Sequence, residues 1–495
     1  MLPFGTLIQI DRANKQPLFM QIVNAVIRQV QTGNLPPGTQ LPGTRQLAVL
    51  LQVHRKTVVT AYDELYAQGW LECQPSKGTY VSTQLPTVDK KVLKPAKQYG
   101  SINRASFLIN DLPELDQPLY KDANQLQIDD GIPDVRLAPT EELARTYRSV
   151  LKTASSKQLL NYGELHGHPV LRRELATYLN STRGLSITDE NIMITRGSQM
   201  GIFLCAQLLL KNGQAVAVGN TNYIATDITF QHAGASLLRI EVDEHGLNTK
   251  ALEQVCAKNR PKAVYVTPHH HHPTTVTLSA ERRLHLLELA RKYGFAIIED
   301  DYDFDFHYGR GPILPLASAD QQGHVLYIGS LCKLIAPALR VGYLVAPKNV
   351  IHKAAMLRRI IDRQGDHILE LALARMFKEG AIQHHTRKVL KVYKERRDLF
   401  VQLIDNIGSQ KIQFNIPKGG MALWAQFNQR YPLPDVAKRA AQKGVIMADG
   451  TRYDSMGKGL NALRMGFASI NRQEATQITQ VLKSVLDEMA GKKTI

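Results

Sequence analysis

The sequence is short of cysteine. Its four cysteines, Cys73, Cys205, Cys256 and Cys332, lie far apart and form no C-x-x-C pair. That excludes a disulfide framework and a zinc ribbon, and points to a reducing compartment. No basic segment followed by an apolar stretch opens the chain, so no signal peptide is expected. A run of about 18 apolar residues, enough to cross a bilayer, is also lacking. No internal repeat or low-complexity tract stands out beyond His269–His272. The expectation is a cytoplasmic protein without a membrane partner. Acidic residues are in deficit too: 44 Asp and Glu stand against 61 Lys and Arg, a formal charge of +17. Such a balance favours an anionic partner, nucleic acid before acidic membrane. With 495 residues, 44% of them hydrophobic, the chain can build two or more cores.

Three stretches differ in character. Residues 10–82 read as helices followed by a hairpin. Residues 83–124 are polar and weakly periodic, with Lys90, Lys91, Lys94 and Lys97 among Pro86, Pro95, Pro113 and Pro118, and read as a linker. Over 125–490 short β-branched runs alternate with amphipathic helices, the pattern of a parallel α/β sheet. A smaller C-terminal α+β subdomain is expected from about 385 to 490.

In the first stretch Leu18, Phe19, Ile22, Val23, Val26, Ile27 and Val30 fall on one helical stripe, which Gly33–Gly38 ends. A short helix follows Pro42-Gly43-Thr44. The spacing of Val58, Ala61, Tyr62 and Leu65 predicts another from Arg55 to about Gln68. Residues 70–73 and 79–81 read as two strands around the turn Pro75-Ser76-Lys77-Gly78. This order describes a winged helix-turn-helix, an α+β unit whose last helix enters the major groove by its first turn. Arg55, Lys56 and Thr57 occupy that turn, Arg45 starts the preceding helix, and Lys77 tips the wing. Arg suits a guanine edge, and Lys or Thr a phosphate. Double-stranded DNA with repeated half-sites is the expected partner.

Gly33-Asn34-Leu35-Pro36-Pro37-Gly38-Thr39-Gln40-Leu41-Pro42, Arg45-Gln46-Leu47-Ala48, Arg55-Lys56-Thr57-Val58 and Gly78-Thr79-Tyr80-Val81 resemble the GntR family of bacterial regulators. Two positions depart from the family pattern. His54 stands where Ser usually precedes the last helix, and Gly43-Thr44 where Ser-Ser precedes the middle one. Both changes predict weaker helix N-caps, by up to about 1 kcal/mol each.

In the third stretch Ile192–Thr195 reads as a buried strand opening through Gly197-Ser198-Gln199 into a helix, a natural phosphate seat. Residues 263–267, 295–299, 325–329 and 341–345 read as further strands. Asp300 follows one of them, and Lys333 follows another in Ser330-Leu331-Cys332-Lys333, with Arg340 seven residues on. A lone lysine at a strand end usually snorkels to solvent. A carboxylate, an arginine and an anion seat beside it are what pyridoxal 5'-phosphate (PLP) requires: an amine for the Schiff base, an acid for the pyridine nitrogen, donors for the phosphate.

These residues resemble the α/β fold-type I PLP-dependent aminotransferases. With the N-terminal unit, the whole resembles the MocR subgroup of GntR regulators. The resemblance implies that Lys333 carries PLP as an aldimine, Asp300 pairs the pyridine nitrogen and Tyr302 bonds the ring hydroxyl. Tyr223 would stack on the ring, and Ser198, Gln199, Ser330 and Arg340 would hold the phosphate. Tyr162 would reach the neighbouring subunit's phosphate, which implies a homodimer, and Arg464 would grip a carboxylate. His272-Pro273-Thr274-Thr275 replaces the aminotransferase Asn-Pro-Thr-Gly, leaving the ring oxygen to Tyr302 and His272. Ala225 stands where relatives sensing a carboxylated amine have a second arginine. The run His269–His272 has no acidic or Cys neighbour in sequence, and adjacent side chains diverge, so no metal site is expected. The reading is a regulator responsive to an amine, an amino acid or PLP. The alternative is an aminotransferase, with full or half-reaction turnover, fused to a DNA-binding domain.

Overall fold

The computed structural model describes residues 2–86, 105, 107–109, 125–153, 156–309 and 313–491. Most of the expected linker 83–124 lies outside the described residues. The chain divides into two compact units, Met1–Leu112 and Pro113–Ile495.

In the first unit a single turn, Phe4–Leu7, precedes three helices, Leu18–Gln31, Thr44–Leu50 and Arg55–Ala67. Strands β1 (Leu71–Gln74) and β2 (Gly78–Val81) pair antiparallel, Leu71 opposite Val81. The first helix buries Ile22, Val23, Val26 and Val30, the stripe read from its periodicity. They pack with Leu47, Val58, Ala61, Leu65 and Val81 into one core. His54 corrects an expectation. Its ring Nδ1 accepts the Lys56 backbone N–H at 3.2 Å, so it caps its helix as a serine would. Gly43 makes no side-chain cap.

The second unit contains β3 (Leu126–Ile128), β4 (Ile192–Thr195), β5 (Ala215–Gly219), β6 (Ser236–Ile240), a small hairpin of β7 (Val242–Asp243) and β8 (Gly246–Leu247), β9 (Ala263–Val266), β10 (Ala296–Asp301), β11 (Val325–Ser330), β12 (Gly342–Val345), β13 (Ile412–Phe414), β14 (Ala422–Phe427), β15 (Val445–Met447) and β16 (Ala462–Gly466). Seven strands form the main sheet in the order β4-β12-β11-β10-β9-β5-β6. The parallel sheet expected from sequence needs one correction, because β12 runs antiparallel to both β11 and β4. Its connection from β11 carries only a 3-10 turn, Pro337–Leu339, with no helix to return the chain for a parallel crossover. Lys333 sits in that connection.

Alternation along the strands divides two cores. Ile192, Ile194, Val264, Ile297 and Tyr327 face one layer of helices, Met193, Tyr265, Ile298, Leu326 and Ile328 the other. Both faces are covered, as parallel sheets require. A smaller antiparallel sheet, β13-β14-β16, follows the 25-residue helix Ala381–Asp405. Strand β15 pairs with β3 in parallel, so the first strand of this unit is held by its last third. Among the described residues no helix is long and apolar enough to cross a membrane.

Leu204 on the helix Ser198–Leu209 is fully buried against the main sheet. Leu204→Ala should destabilise this unit by roughly 2–5 kcal/mol. A thermal unfolding midpoint equal to that of the unmodified chain would contradict the packing described.

Candidate cofactor site and nucleic-acid interface

Arg45, Arg55, Lys56 and Lys77 are exposed and Thr57 is half-buried. Arg55 opens the last helix of the first unit, and Gln52, at φ +53, makes the tight turn that leads into it. The wing tip is held from beneath: the Lys77 carbonyl accepts from Gln40 Nε2 at 2.9 Å and from the Tyr80 hydroxyl at 3.2 Å. Lys77 is therefore displayed on braced backbone.

In the second unit the candidates gather at the carboxyl ends of the central strands, where open α/β sheets bind ligands. Asp300, near the end of β10, is 3% exposed. The Tyr265 hydroxyl on β9 donates to its Oδ2 at 2.8 Å, while Oδ1 is buried without a hydrogen-bond partner. Burial pushes this carboxyl up to about 7, with Asp301 and Asp303 adding repulsion and the Tyr265 bond and Lys333 opposing it. Lys333 Nζ donates to the Gly131 carbonyl at 3.1 Å. Desolvation lowers its ammonium below the usual lysine range, which favours the neutral, nucleophilic amine.

Arg464 on β16 is buried, its side chain 1% exposed. Nε donates to the Asp130 carbonyl at 3.1 Å, Nη1 to the Pro273 carbonyl at 3.2 Å and Nη2 to the Tyr302 hydroxyl at 3.3 Å. Tyr302 in turn donates to the His270 carbonyl at 3.1 Å. The Tyr223 ring meets His272 edge-on, centroids 5.0 Å apart.

A second cluster surrounds the start of the helix Ser198–Leu209. Gly197 precedes it at φ +75, and a Cβ there would come within 2.8 Å of the Arg340 guanidinium. Arg340 itself holds a left-handed backbone at φ +51, an uncommon conformation for a side-chain-bearing residue, and donates to the Arg196 carbonyl at 3.2 Å. Gln199 Nε2 donates to Thr229 at 2.8 Å, and its Oε1 is buried without a partner. Ser330 Oγ accepts the Cys332 backbone N–H at 3.2 Å. Tyr162 stands apart, 77% exposed, with the Arg363 guanidinium 4.1 Å from its ring centroid.

Sequence reasoning missed Asp130. Its Oδ2 lies 3.0 Å from His272 Nε2, and its Oδ1 takes the Tyr453 hydroxyl at 2.6 Å and lies 3.4 Å from Arg452. Burial opposes its charge, but His272, Arg452 and Arg464 hold the carboxyl well below the usual range. No local pattern marks it, because its partners come from three distant segments. The histidine run also needs correction. Folding brings a carboxylate to three of its members: Asp301 3.1 Å from His269, Asp303 2.9 Å from His270, and Asp130 to His272. Among the described residues no group of three or more His, Cys, Asp or Glu is placed to hold a metal ion.

Family models match at both ends of the chain: "Bacterial regulatory proteins, gntR family" over residues 18–81, and "Aminotransferase class I and II" over 123–482. The HTH-type transcriptional regulator TauR of Rhodobacter capsulatus is 30% identical over 465 residues, 90% of this chain and 91% of the relative. The probable rhizopine catabolism regulatory protein MocR of Rhizobium meliloti is 27% identical over 493 residues, 95% of this chain and 97% of the relative. The chain belongs to the MocR subgroup of GntR regulators. Its aminotransferase unit superposes on an archaeal alanine:glyoxylate aminotransferase with a TM-score of 0.70 at 29% identity, covering 74% of this chain and 91% of that one. Pyrococcus horikoshii kynurenine aminotransferase, solved in complex with PMP, matches with a TM-score of 0.69 at 25% identity, over 75% and 92%.

PLP is the cofactor of such domains, and the residues of this MocR-type regulator fit it. Asp300 Oδ1 is a buried acceptor in want of a proton donor, as a pyridinium N–H would be. The bare Cα of Gly197, with backbone N–H groups at a helix start and the Arg340 guanidinium over it, leaves an anion cradle that a side chain would fill.

The Asp300 carboxyl has a testable consequence. Its folded-state value, about 7, lies above the ordinary 3.8, so the unfolded chain releases this proton first. Stability from this group is present at low pH and is lost as pH rises through that window. Asp300→Asn keeps an acceptor for Tyr265 and removes the titration. In the cofactor-free chain its thermal midpoint should gain on the unmodified protein between pH 5 and pH 7.5; a constant difference would refute the assignment.

Proposed function

We propose that this regulator carries PLP on Lys333, reads an amino compound there, and transmits the result to DNA held by its N-terminal unit. The observation that carries the reading is a desolvated lysine amine and a half-satisfied buried carboxylate at one sheet end, in a chain that also has a gntR module. When bound, PLP supplies an electrophilic aldehyde and an electron-drawing ring. Lys333 holds that aldehyde, and Asp300 keeps the ring nitrogen protonated. Tyr302 and His272 would serve the ring oxygen, and Tyr223 would stack on the ring. Ser198, Gln199, Ser330 and Arg340 take the phosphate, joined by Tyr162 of a second copy in a homodimer. Arg464 is the cation an effector meets.

Arg45, Arg55, Lys56, Thr57 and Lys77 bind operator DNA in the cytoplasm, at repeated half-sites matching the dimer. An effector shifts the DNA-bound arrangement only by its unequal affinity for two arrangements of the dimer. Mapping bound DNA in cells with and without candidate amines tests the whole reading. Sustained conversion of an amino donor with a 2-oxo acid would favour the aminotransferase alternative instead.

Two outcomes are expected. Reconstitution with PLP should give a yellow protein, with a borohydride-stable adduct at residue 333 by mass analysis; Lys333→Ala should remain colourless. On a promoter fragment recovered from cells, Arg55→Ala should weaken binding by about 1–3 kcal/mol, and Lys77→Ala should reduce the salt slope by about 1. Unchanged affinity in both variants would remove these residues from the interface.

A further inference from the structure

The turn Asp129-Asp130-Gly131 joins Lys333 to Arg464. Its successive carbonyls accept from one each: Asp130 O from Arg464 Nε at 3.1 Å, and Gly131 O from Lys333 Nζ at 3.1 Å. Gly131 is at φ +86, and a Cβ there would stand 3.5 Å from Arg464 Nη2, so the turn packs directly on the guanidinium. The side chain that this turn projects is an acid. Asp130 Oδ1 lies between two guanidinium groups, 3.4 Å from Arg452 and 3.7 Å from Arg464 Nε, and its two oxygens are steadied by Tyr453 at 2.6 Å and by His272 at 3.0 Å. It is 19% exposed, neither lost in the core nor free to swing away.

Arg464 thus already faces a carboxylate belonging to the chain. All three of its nitrogens also donate to fixed acceptors, the carbonyls of Asp130 and Pro273 and the Tyr302 hydroxyl. A second carboxylate brought to the same guanidinium would sit against Asp130 in a water-poor site, where like charges repel strongly. An amine without a carboxylate meets no such repulsion. Any ammonium it brings is attracted to Asp130.

We propose that Asp130 is a selectivity residue that sets a negative charge against Arg464 from within, so that the effector is a primary amine lacking an α-carboxylate rather than an α-amino acid. The inference rests on the reading of Lys333 as the PLP site and narrows the effector class at that site. Asp130 acts by occupying the guanidinium's electrostatic reach, and His272 and Tyr453 act by holding it there.

Propylamine and 2-aminobutyrate differ only by a carboxylate, which makes them a matched pair of probes. Each is titrated into the PLP-loaded full-length chain, following the change in visible absorbance, and into the chain bound to its promoter fragment, following DNA release or retention. The unmodified protein should bind propylamine more tightly. In Asp130→Asn, which keeps shape and hydrogen bonding but not charge, 2-aminobutyrate should gain about tenfold or more relative to propylamine. Asp130→Ser provides a second variant, with the same direction expected. Preference for 2-aminobutyrate in the unmodified chain, or a ratio unchanged in both loaded variants, overturns this proposal alone. An unmodified chain that stays colourless with PLP overturns the cofactor reading and this proposal together.

Discussion

A sheet covered by helices on both faces admits charged side chains only near its ends, and this constraint organises the large unit. Strands β4, β9, β10 and β11 spend their middles on Ile, Val, Ala, Tyr and Leu divided between two cores. Polarity appears where they stop, at Thr195, Asp300 and Ser330. Because these strands run in the same sense, their carboxyl ends come together, and with them the candidates for ring, amine and phosphate. The single antiparallel strand, β12, serves the same purpose: its short approach leaves Lys333 and Arg340 at that edge.

The end of β10 shows how so much acid can be buried. Glu299 gives its two oxygens to the backbone N–H groups of Leu316 and Ala317, at 2.8 and 2.9 Å. Asp301 accepts from the Tyr327 hydroxyl at 2.8 Å and faces His269, and Asp303 faces His270. Buried charges persist only with such partners. Asp300 and Asp303 each keep one oxygen satisfied and one buried without a hydrogen-bond partner, and of the two only Asp300 stands on the strand itself. Three members of the histidine run, odd as sequence, are intelligible as partners of neighbouring carboxylates, while His271 meets the Thr274 hydroxyl at 2.8 Å.

Much of this was legible in advance. The stripe Leu18–Val30 and the alternating runs of the large unit report burial directly, since each side chain's face follows from its own element's period. Lys333, Asp300 and Arg464 were legible as candidates because residue type and order carried the resemblance. His54 misled because propensity counts side chains by class, whereas an imidazole nitrogen in the right rotamer accepts an N–H as well as a hydroxyl does. Strand β12 misled because an apolar run reads the same in either direction.

Sequence alone determined which segments are helix or strand, which faces are apolar, and which residue types a PLP-binding, DNA-binding chain must supply. These are local properties, set by neighbours a few residues away. Only the tertiary structure decided that Asp130 meets His272, Tyr453 and Arg464, that each carboxylate after β10 has a particular partner, and that one Asp300 oxygen has none. Those contacts join residues scores to hundreds of positions apart. Their energies depend on burial and distance, which exist only once the chain has closed on itself.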